Sequence, residues 1–253
     1  MSPHRIARPR RPGNLMPLIA ATLTVLNACG GGSGASRASA ASPAPAPAAS
    51  APVAAPAPAQ PAYSTNFDLI ENPISEGGKW INAGGSWTNV QTANGLAYGT
   101  NGAANTYDDS YAHLSGFPAN QQGEAVIVRS PTLVGAPHES ELLLRWADSP
   151  GNARGYECLF NFQGGVQIVR WNGPFGDFTV LGGGDLGRPL ASGDVVRARI
   201  VGNVITAYIN GGLVAQVTDS TWSVGQPGIG FFRRTQGTSA DLAFTSFTST
   251  ALP

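Results

Sequence analysis

Between Val195 and Val217 the chain runs VVRARIV, VITAYI and LVAQV, separated only by Gly202–Asn203 and by Asn210–Gly211–Gly212. Connections this short, made of residues that tolerate positive φ, turn an extended chain back on itself and leave no room for a helix. The segment therefore predicts a three-stranded antiparallel meander. Its alternation is clean: Val196, Ala198 and Ile200 point one way and Arg197 and Arg199 the other, and Ile205, Ala207 and Ile209 oppose Thr206 and Tyr208. A period of two with one apolar set means a sheet with one buried face. A sheet with one buried face needs a second layer against it.

The same pattern recurs through residues 63–253. Tyr156 to Phe162 and Val166 to Trp171 form a hairpin through Gln163, Gly164 and Gly165. On its first strand Tyr156, Cys158, Phe160 and Phe162 share one face, while Glu157, Leu159 and Asn161 share the other, so Cys158 is expected to be a small buried hydrophobe. Further strands are expected at Asn66–Ile70, Ser86–Gln91, Tyr107–His113, Glu124–Arg129, Glu141–Trp146, Asp177–Leu181, Gly228–Arg233 and Asp241–Phe247. No convincing helix interrupts them. With 33 Gly, 20 Pro and 12% charged residues in the whole chain, the expectation is an all-β fold, a two-sheet antiparallel jelly-roll sandwich.

The N-terminal quarter reads differently. Arg5, Arg8, Arg10 and Arg11 precede an apolar run from Leu15 to Leu26, interrupted by Pro17 and followed by Asn27, Ala28 and Cys29. The run is too short for a permanent membrane span, which takes about 20 apolar residues, so residues 1–28 are read as a signal peptide. The tetrad LNAC resembles the lipobox of bacterial lipoproteins. That resemblance implies acylation of Cys29, cleavage before it and attachment to a membrane through the acyl chains. Gly30 stands where an Asp would favour inner-membrane retention in that family, so an outer-membrane address is implied. The alternative is an ordinary secretory signal with Cys29 a free thiol. Residues 30–62, GGGSGASRASAASPAPAPAASAPVAAPAPAQPA, have Arg37 as their only charge and almost nothing to bury. They are read as a tether, extended over its Ala/Pro part.

From Cys29 onward there are 11 basic and 15 acidic residues, and Lys79 is the only lysine. Nucleic acid, whose binding rests on clustered Lys and Arg, is therefore not expected as a partner. Two cysteines make neither a disulfide framework nor a thiolate zinc site.

The stretch Gly193 to Phe232, GDVVRARIVGNVITAYINGGLVAQVTDSTWSVGQPGIGFF, resembles the C-terminal half of concanavalin A-like lectin/glucanase domains of the laminin G type. Asp194, Asn210, Gly211, Pro227 and Gly228 fall where that family has its turns, and Asn66, Phe67 and Asp68 stand where its opening strand pairs with the last one. The resemblance implies a concanavalin A-like sandwich. It specifies no activity, because this fold carries lectins, adhesins, hydrolases and lyases alike.

Candidate chemistry is sparse. Hydrolases of this fold place carboxylates at alternate positions of a strand, since a retaining mechanism needs two of them about 5–5.5 Å apart. Glu139 and Glu141 have that spacing, with His138 before them and Leu143 where a third acid would stand; the alternative is a solvated edge at a strand entrance. Lyase relatives use Arg, Gln, His and Tyr. Gln167 and Ile168 match part of that set, but Val169 holds the histidine's place. Asp108 and Asp109, beside Asn101 and Asn105, offer oxygen ligands of the kind calcium accepts, though such clusters also form turns.

Binding is the leading expectation. Sugars stack on flat aromatic rings and hydrogen-bond to planar polar groups. Alternation sends Arg145, Glu157, Asn161, Gln167 and Trp171 to the face opposite the apolar set, with Tyr208 and Arg197 extending it. Trp171 is thus expected to stand outside the core as a stacking platform; the alternative is that it caps the core and that Arg145 pairs with Glu157. The expected function is a non-catalytic lipoprotein whose sandwich binds carbohydrate or another envelope polymer. A polysaccharide hydrolase or lyase, and a structural or protein-interaction module, are the alternatives.

Overall fold

The computed structural model describes residues 60–253 apart from 83, 85, 101–106, 132, 134–137 and 235–238. The signal peptide, Cys29 and nearly all of the tether therefore lie outside the described residues, as do Asn101 and Asn105. The first eight strands are β1 (Ala62–Thr65), β2 (Ile81–Asn82), β3 (Thr88–Ala93), β4 (Leu96–Gly99), β5 (Tyr107–His113), β6 (Gln121–Arg129), β7 (His138–Ser149) and β8 (Asn152–Asn161). They are followed by β9 (Gly165–Pro174), β10 (Phe178–Asp185), β11 (Val195–Val201), β12 (Val204–Ile209), β13 (Gly212–Thr218), β14 (Gln226–Arg234) and β15 (Leu242–Ala251). A single 3-10 turn, Ser239–Asp241, is the helical content of the described residues.

The strands form two layers. In sheet I the order is β4-β15-β6-β11-β12-β13, with β1 also on β15, and in sheet II it is β10-β9-β8-β7-β14-β5, with β2 also on β5. All of these pairings are antiparallel. Strand β3 links the layers, running parallel to β5 at Thr88–Asn89 and antiparallel to β4 over Val90–Ala93. The other edges, β10 and β13, close on each other at a run of glycines. A Cβ on Gly184 would lie 2.1 Å from the Val214 carbonyl oxygen, and one on Gly182 would lie 2.7 Å from Val217 Cγ1. The absence of side chains there lets the edges meet.

Between the layers lies one apolar core. Sheet II supplies Leu142, Leu144, Tyr156, Cys158, Phe160 and Ile168, and sheet I supplies Ala125, Ile127, Val196, Ala198, Ile200, Ile205, Phe244 and Phe247, all buried. The alternation expected for β8, β11 and β12 is the one the structure adopts, and Cys158 is fully buried among its apolar neighbours.

The opening of the domain differs from expectation. Asn66–Ile70 is not a strand; the strand that pairs with β15 is β1, just before it. The chain turns at Phe67, whose φ is +57°, and the Phe67 N–H donates to Thr65 Oγ1 at 2.9 Å. That turn sends the Phe67 ring into the core and leaves Leu69 and Ile70 exposed.

Candidate functional site

Sheet II has a second face, turned away from the inter-sheet core, and it too is covered. Tyr111, Leu143, Trp146, Ala153, Leu159, Val169 and Trp171 from this sheet join Trp87 in a separate buried cluster, with Phe175 and Phe178 packed against it. Cross-strand register arranges the face in rows. Asp109, Phe232, Glu139 and Asn161 are opposite one another across β5, β14, β7 and β8. The next row is Tyr111, Gly230, Glu141, Leu159 and Gln167, and the one after it His113, Gly228, Leu143, Glu157 and Val169.

Four carboxylates thus come together from three strands. Asp109, Glu139, Glu141 and Glu157 are 6%, 6%, 2% and 5% exposed. The expectation of a solvated edge for Glu139 and Glu141 is corrected, since β7, which carries both, lies between β8 and β14 and is not an edge strand. Burial pushes the Asp109 carboxyl well above the usual carboxylate range, and the negative charges of Glu157 and Glu139 push it further. Burial does the same to Glu141, aided by Glu157, Asp109 and Glu139. Glu141 lies directly on the backbone of β14: a Cβ on Gly230 would come 2.3 Å from its Oε2. Glu157 Oε2 accepts the indole N–H of Trp171 at 2.5 Å. A charge left in an apolar interior without a partner is costly, so each carboxyl either holds its proton or takes a donor.

The aromatic half of the face is packed edge to face. Trp87 lies 5.7 Å from Tyr111, 5.5 Å from Trp171 and 5.0 Å from Phe175, centroid to centroid, with interplanar angles of 63–84°. Trp146 bridges Tyr111 at 5.1 Å and Trp171 at 6.3 Å. At the rim the Tyr111 hydroxyl donates to Asp148 Oδ2 at 3.1 Å. His113 Nε2 is 3.3 Å from Asp148 Oδ1, while its Nδ1 is 2.7 Å from the Leu114 carbonyl.

These positions correct three expectations. Trp171 does not stand outside the packed interior: it is 3% exposed, because Trp87, Phe175 and Phe178 cover it. Arg145 does not share the face of Glu157. A bulge between Leu144 and Ala147 gives Arg145 a φ of +48° and inverts the phase of β7, so that Trp146 takes the far face instead. The guanidinium then donates from Nε to Ala119 O (2.9 Å), from Nη1 to Trp222 O (3.0 Å) and from Nη2 to Gly202 O (2.6 Å), tying three loops together. Burial lowers its pKa. The sequence signal for the bulge was Gly155 and Gly225, where an added Cβ would come within 2.8 Å and 2.1 Å of the Arg145 carbonyl oxygen. Tyr208, third, belongs to β12 in the opposite sheet, where the Arg197 guanidinium carbon lies 5.5 Å from its ring centroid and Arg197 Nε reaches Glu124 at 2.8 Å.

Asn161 and Gln167 do lie on the carboxylate face, half-buried. Asn161 Oδ1 also accepts the Gln163 N–H at 2.8 Å, closing the β8–β9 turn. The side chain of Asp108 is outside the described part. Among the described residues no three His, Cys, Asp or Glu side chains are placed to hold a metal ion.

The fold is thus a jelly-roll β-sandwich of the lectin and glucanase kind, with carboxylates and aromatic rings on the outer face of one sheet. No family model matches the chain, and no curated protein sequence does. Solved structures do. The exoplasmic/lumenal domain of VIP36, in a Ca2+/Man3GlcNAc-bound form, is 11% identical with a TM-score of 0.50, over 76% of this chain and 91% of that one. Porphyranase B from Zobellia galactanivorans is 15% identical with a TM-score of 0.49, over 74% of this chain and 90% of that one. The carbohydrate binding module CBM66 from Bacillus subtilis is 16% identical with a TM-score of 0.47, over 72% and 96%. Likeness at these identities is likeness of fold.

Proposed function

We propose that this protein is a lipoprotein, anchored in the outer membrane through Cys29, whose sandwich binds a carbohydrate chain on the far face of sheet II. The observation that carries the binding reading is the set of four carboxylates, Asp109, Glu139, Glu141 and Glu157, gathered on one sheet face beside aromatic rings. Packing alone gives no reason to collect carboxylates there, and clustered buried groups with displaced pKa values are candidates for a functional site. The carboxyls, with the amides of Asn161 and Gln167, supply hydrogen-bonding groups for sugar hydroxyls. The VIP36 exoplasmic/lumenal domain, similar in fold and solved in a Ca2+/Man3GlcNAc-bound form, supports this reading.

The test is a glycan array probed with the whole detergent-solubilised chain. Retention of a polysaccharide, weakened about tenfold by Gln167→Ala, is expected; no retention of any glycan overturns the reading. Cys29→Ala is expected to abolish labelling by a fatty-acid probe, and labelling that survives the substitution overturns the anchor.

One observation favours a hydrolase as the second reading. Glu139 and Glu141 share a face at alternate positions, and Glu141 is held well above the usual carboxylate range while Glu157 is fixed by an indole N–H. A carboxyl with a raised pKa beside a second carboxyl is the arrangement a general acid and its partner need. New reducing ends from a retained polysaccharide, lost in Glu141→Gln, are expected on this reading, and retention without cleavage overturns it.

A further inference from the structure

The chain enters the sandwich from residues 30–61 through β1, and among the described residues β1 pairs with β15 alone. Ala62, Tyr63, Ser64 and Thr65 face Thr250, Ser249, Thr248 and Phe247, and just ahead of them the Ala251 N–H donates to Pro61 O at 2.9 Å. β15 is held along its length by β6 on its other side. Past β1 the chain is pinned at once. The Phe67 ring is in the core, Thr65 Oγ1 donates to Glu76 Oε1 at 2.5 Å, and Tyr63 Oη accepts the Trp80 indole N–H at 2.9 Å.

Strand directions fix how a pull on that entrance acts. Ala62, Gln121, Ile200 and Ala251 mark one end of sheet I. Gln121 joins the same end of sheet II, donating to Gly225 O at 3.0 Å and accepting the Arg145 N–H at 3.1 Å. The carboxylate rows begin at the opposite end, where Asp109, Glu139 and Asn161 precede the β8–β9 turn. Arg129, at the other terminus of β6 from Gln121, reaches that turn, with its guanidinium carbon 5.5 Å from the Phe162 ring centroid. Strands of two packed sheets stay within about 30° of one another, so a polymer held among the carboxylates and an anchor at the stalk draw on the domain lengthwise. β1 runs away from the stalk and β15 runs towards it. Lengthwise tension therefore slides β1 past β15 and loads the ladder bonds together. Singly such bonds are weak; loaded together they must fail at once.

We infer that β1 and β15 form a shear clasp that keeps the sandwich folded while a bound polymer pulls against its stalk. The inference rests on the reading of the protein as anchored through Cys29 and bound to a glycan, and it adds the path by which force crosses the domain. It makes direction the deciding variable. Pro253 leaves from the stalk end, beside Leu252, whose N–H donates to Asn120 O at 2.9 Å. Pulling the stalk against the C-terminus peels β1 from β15 one bond at a time, starting at Ala251.

The experiment stretches the whole chain in optical tweezers. One handle is attached through p-azidophenylalanine at Ser50, and the other through the same residue either at Gln163, exposed in the β8–β9 turn, or added after Pro253. The length gained at the first event, about 3.5 Å per freed residue, identifies the strand that leaves. Release of β1 is expected first in both pulls, at a force at least about twofold higher towards Gln163 than towards the C-terminus. Equal forces in the two directions, or a first event towards Gln163 that frees β8 and β9 with β1 still in place, overturn the inference and leave the glycan and anchor readings standing. Failure of glycan retention or of fatty-acid labelling removes the source of tension, overturning the inference's premise while leaving both forces as they are.

Discussion

Replacing Trp171 with Ala separates a packed indole from an exposed one. The ring is 3% exposed and has four aromatic neighbours: Phe178 at 5.4 Å, Trp87 at 5.5 Å, Trp146 at 6.3 Å and Phe175 at 6.4 Å. Truncating a buried aromatic to Ala costs about 3–5 kcal/mol, because transfer free energy is lost and a cavity remains. A domain of this kind has roughly 5–15 kcal/mol in hand, so Trp171→Ala should remove a large share of it. Trp171→Phe keeps most of the volume but deletes the N–H bonded to Glu157 Oε2, a buried acceptor whose lost donor is worth about 1–3 kcal/mol. Urea unfolding followed by far-UV circular dichroism, which does not depend on the deleted fluorophore, measures both. A Trp171→Ala variant within about 1 kcal/mol of wild type, with an unchanged denaturant slope, would refute the packed position. A Trp171→Phe variant as damaged as Trp171→Ala would put the value of the residue in its hydrogen bond rather than its ring.

Three further outcomes are expected. Because the folded-state carboxyl of Glu141 is raised from 4.5 by burial and by Glu157, Asp109 and Glu139, its contribution is fully present below the unfolded value and is lost as pH rises. Glu141→Gln should therefore leave the melting temperature near wild type at pH 4 and raise it at pH 8, and a fall at pH 8 would mean that the carboxylate has a net favourable partner. Asp194 is held at about 2, below its ordinary 3.8, chiefly by Arg188, with the Ala191 N–H and Asn210 amide also donating to it. That gap is worth about 2 kcal/mol, or about 1–2 kcal/mol once water around the half-exposed Arg188 is counted. The stabilisation is present above the unfolded value and lost as pH falls through the folded one, so Asp194→Asn should cost that amount at pH 7 and almost nothing at pH 2, as read from urea midpoints. The Cys158 thiol, pushed up by burial and by Glu157, should react with a thiol reagent only after denaturation; rapid labelling of the native chain would place it outside the core.

Local turn chemistry carries much of this fold. Strands β11 and β12 have the bounds that residue alternation and the flanking Gly and Asn suggest, because a two-residue turn leaves the register of its strands little freedom. β2 and β4, two and four residues long, are too short to show a period, and they exist because tertiary neighbours supply their partners. The misplaced first strand has a different cause. Phe67 is a good strand residue by composition, and only the demand of the core for its ring drives it to positive φ.

The far face of sheet II shows where alternation stops being informative. A period of two correctly separates Glu157, Leu159 and Asn161 from Tyr156, Cys158 and Phe160, but it sorts side chains into two sets without saying what covers either. Leu143, Leu159 and Val169 on the supposedly wet side were the warning: three aliphatic residues in two neighbouring rows of β7, β8 and β9 need a cover, and Trp87 with Phe175 and Phe178 provides it. The carboxylates were equally visible one at a time, at positions 109, 139, 141 and 157, under three unrelated readings as calcium ligand, catalytic pair and sugar contact. What unites them is the insertion of β14 between β7 and β5, two pairings between segments far apart in the chain that no local pattern encodes. That strand brings Gly228 and Gly230 to the centre of the face. The missing side chain of Gly230 makes room for Glu141, whose Oε2 would lie 2.3 Å from a Cβ there, while that of Gly228 makes room for β5, where a Cβ would lie 2.5 Å from the Ala112 carbonyl oxygen; a strand distant in sequence thus decides whether the carboxyl fits.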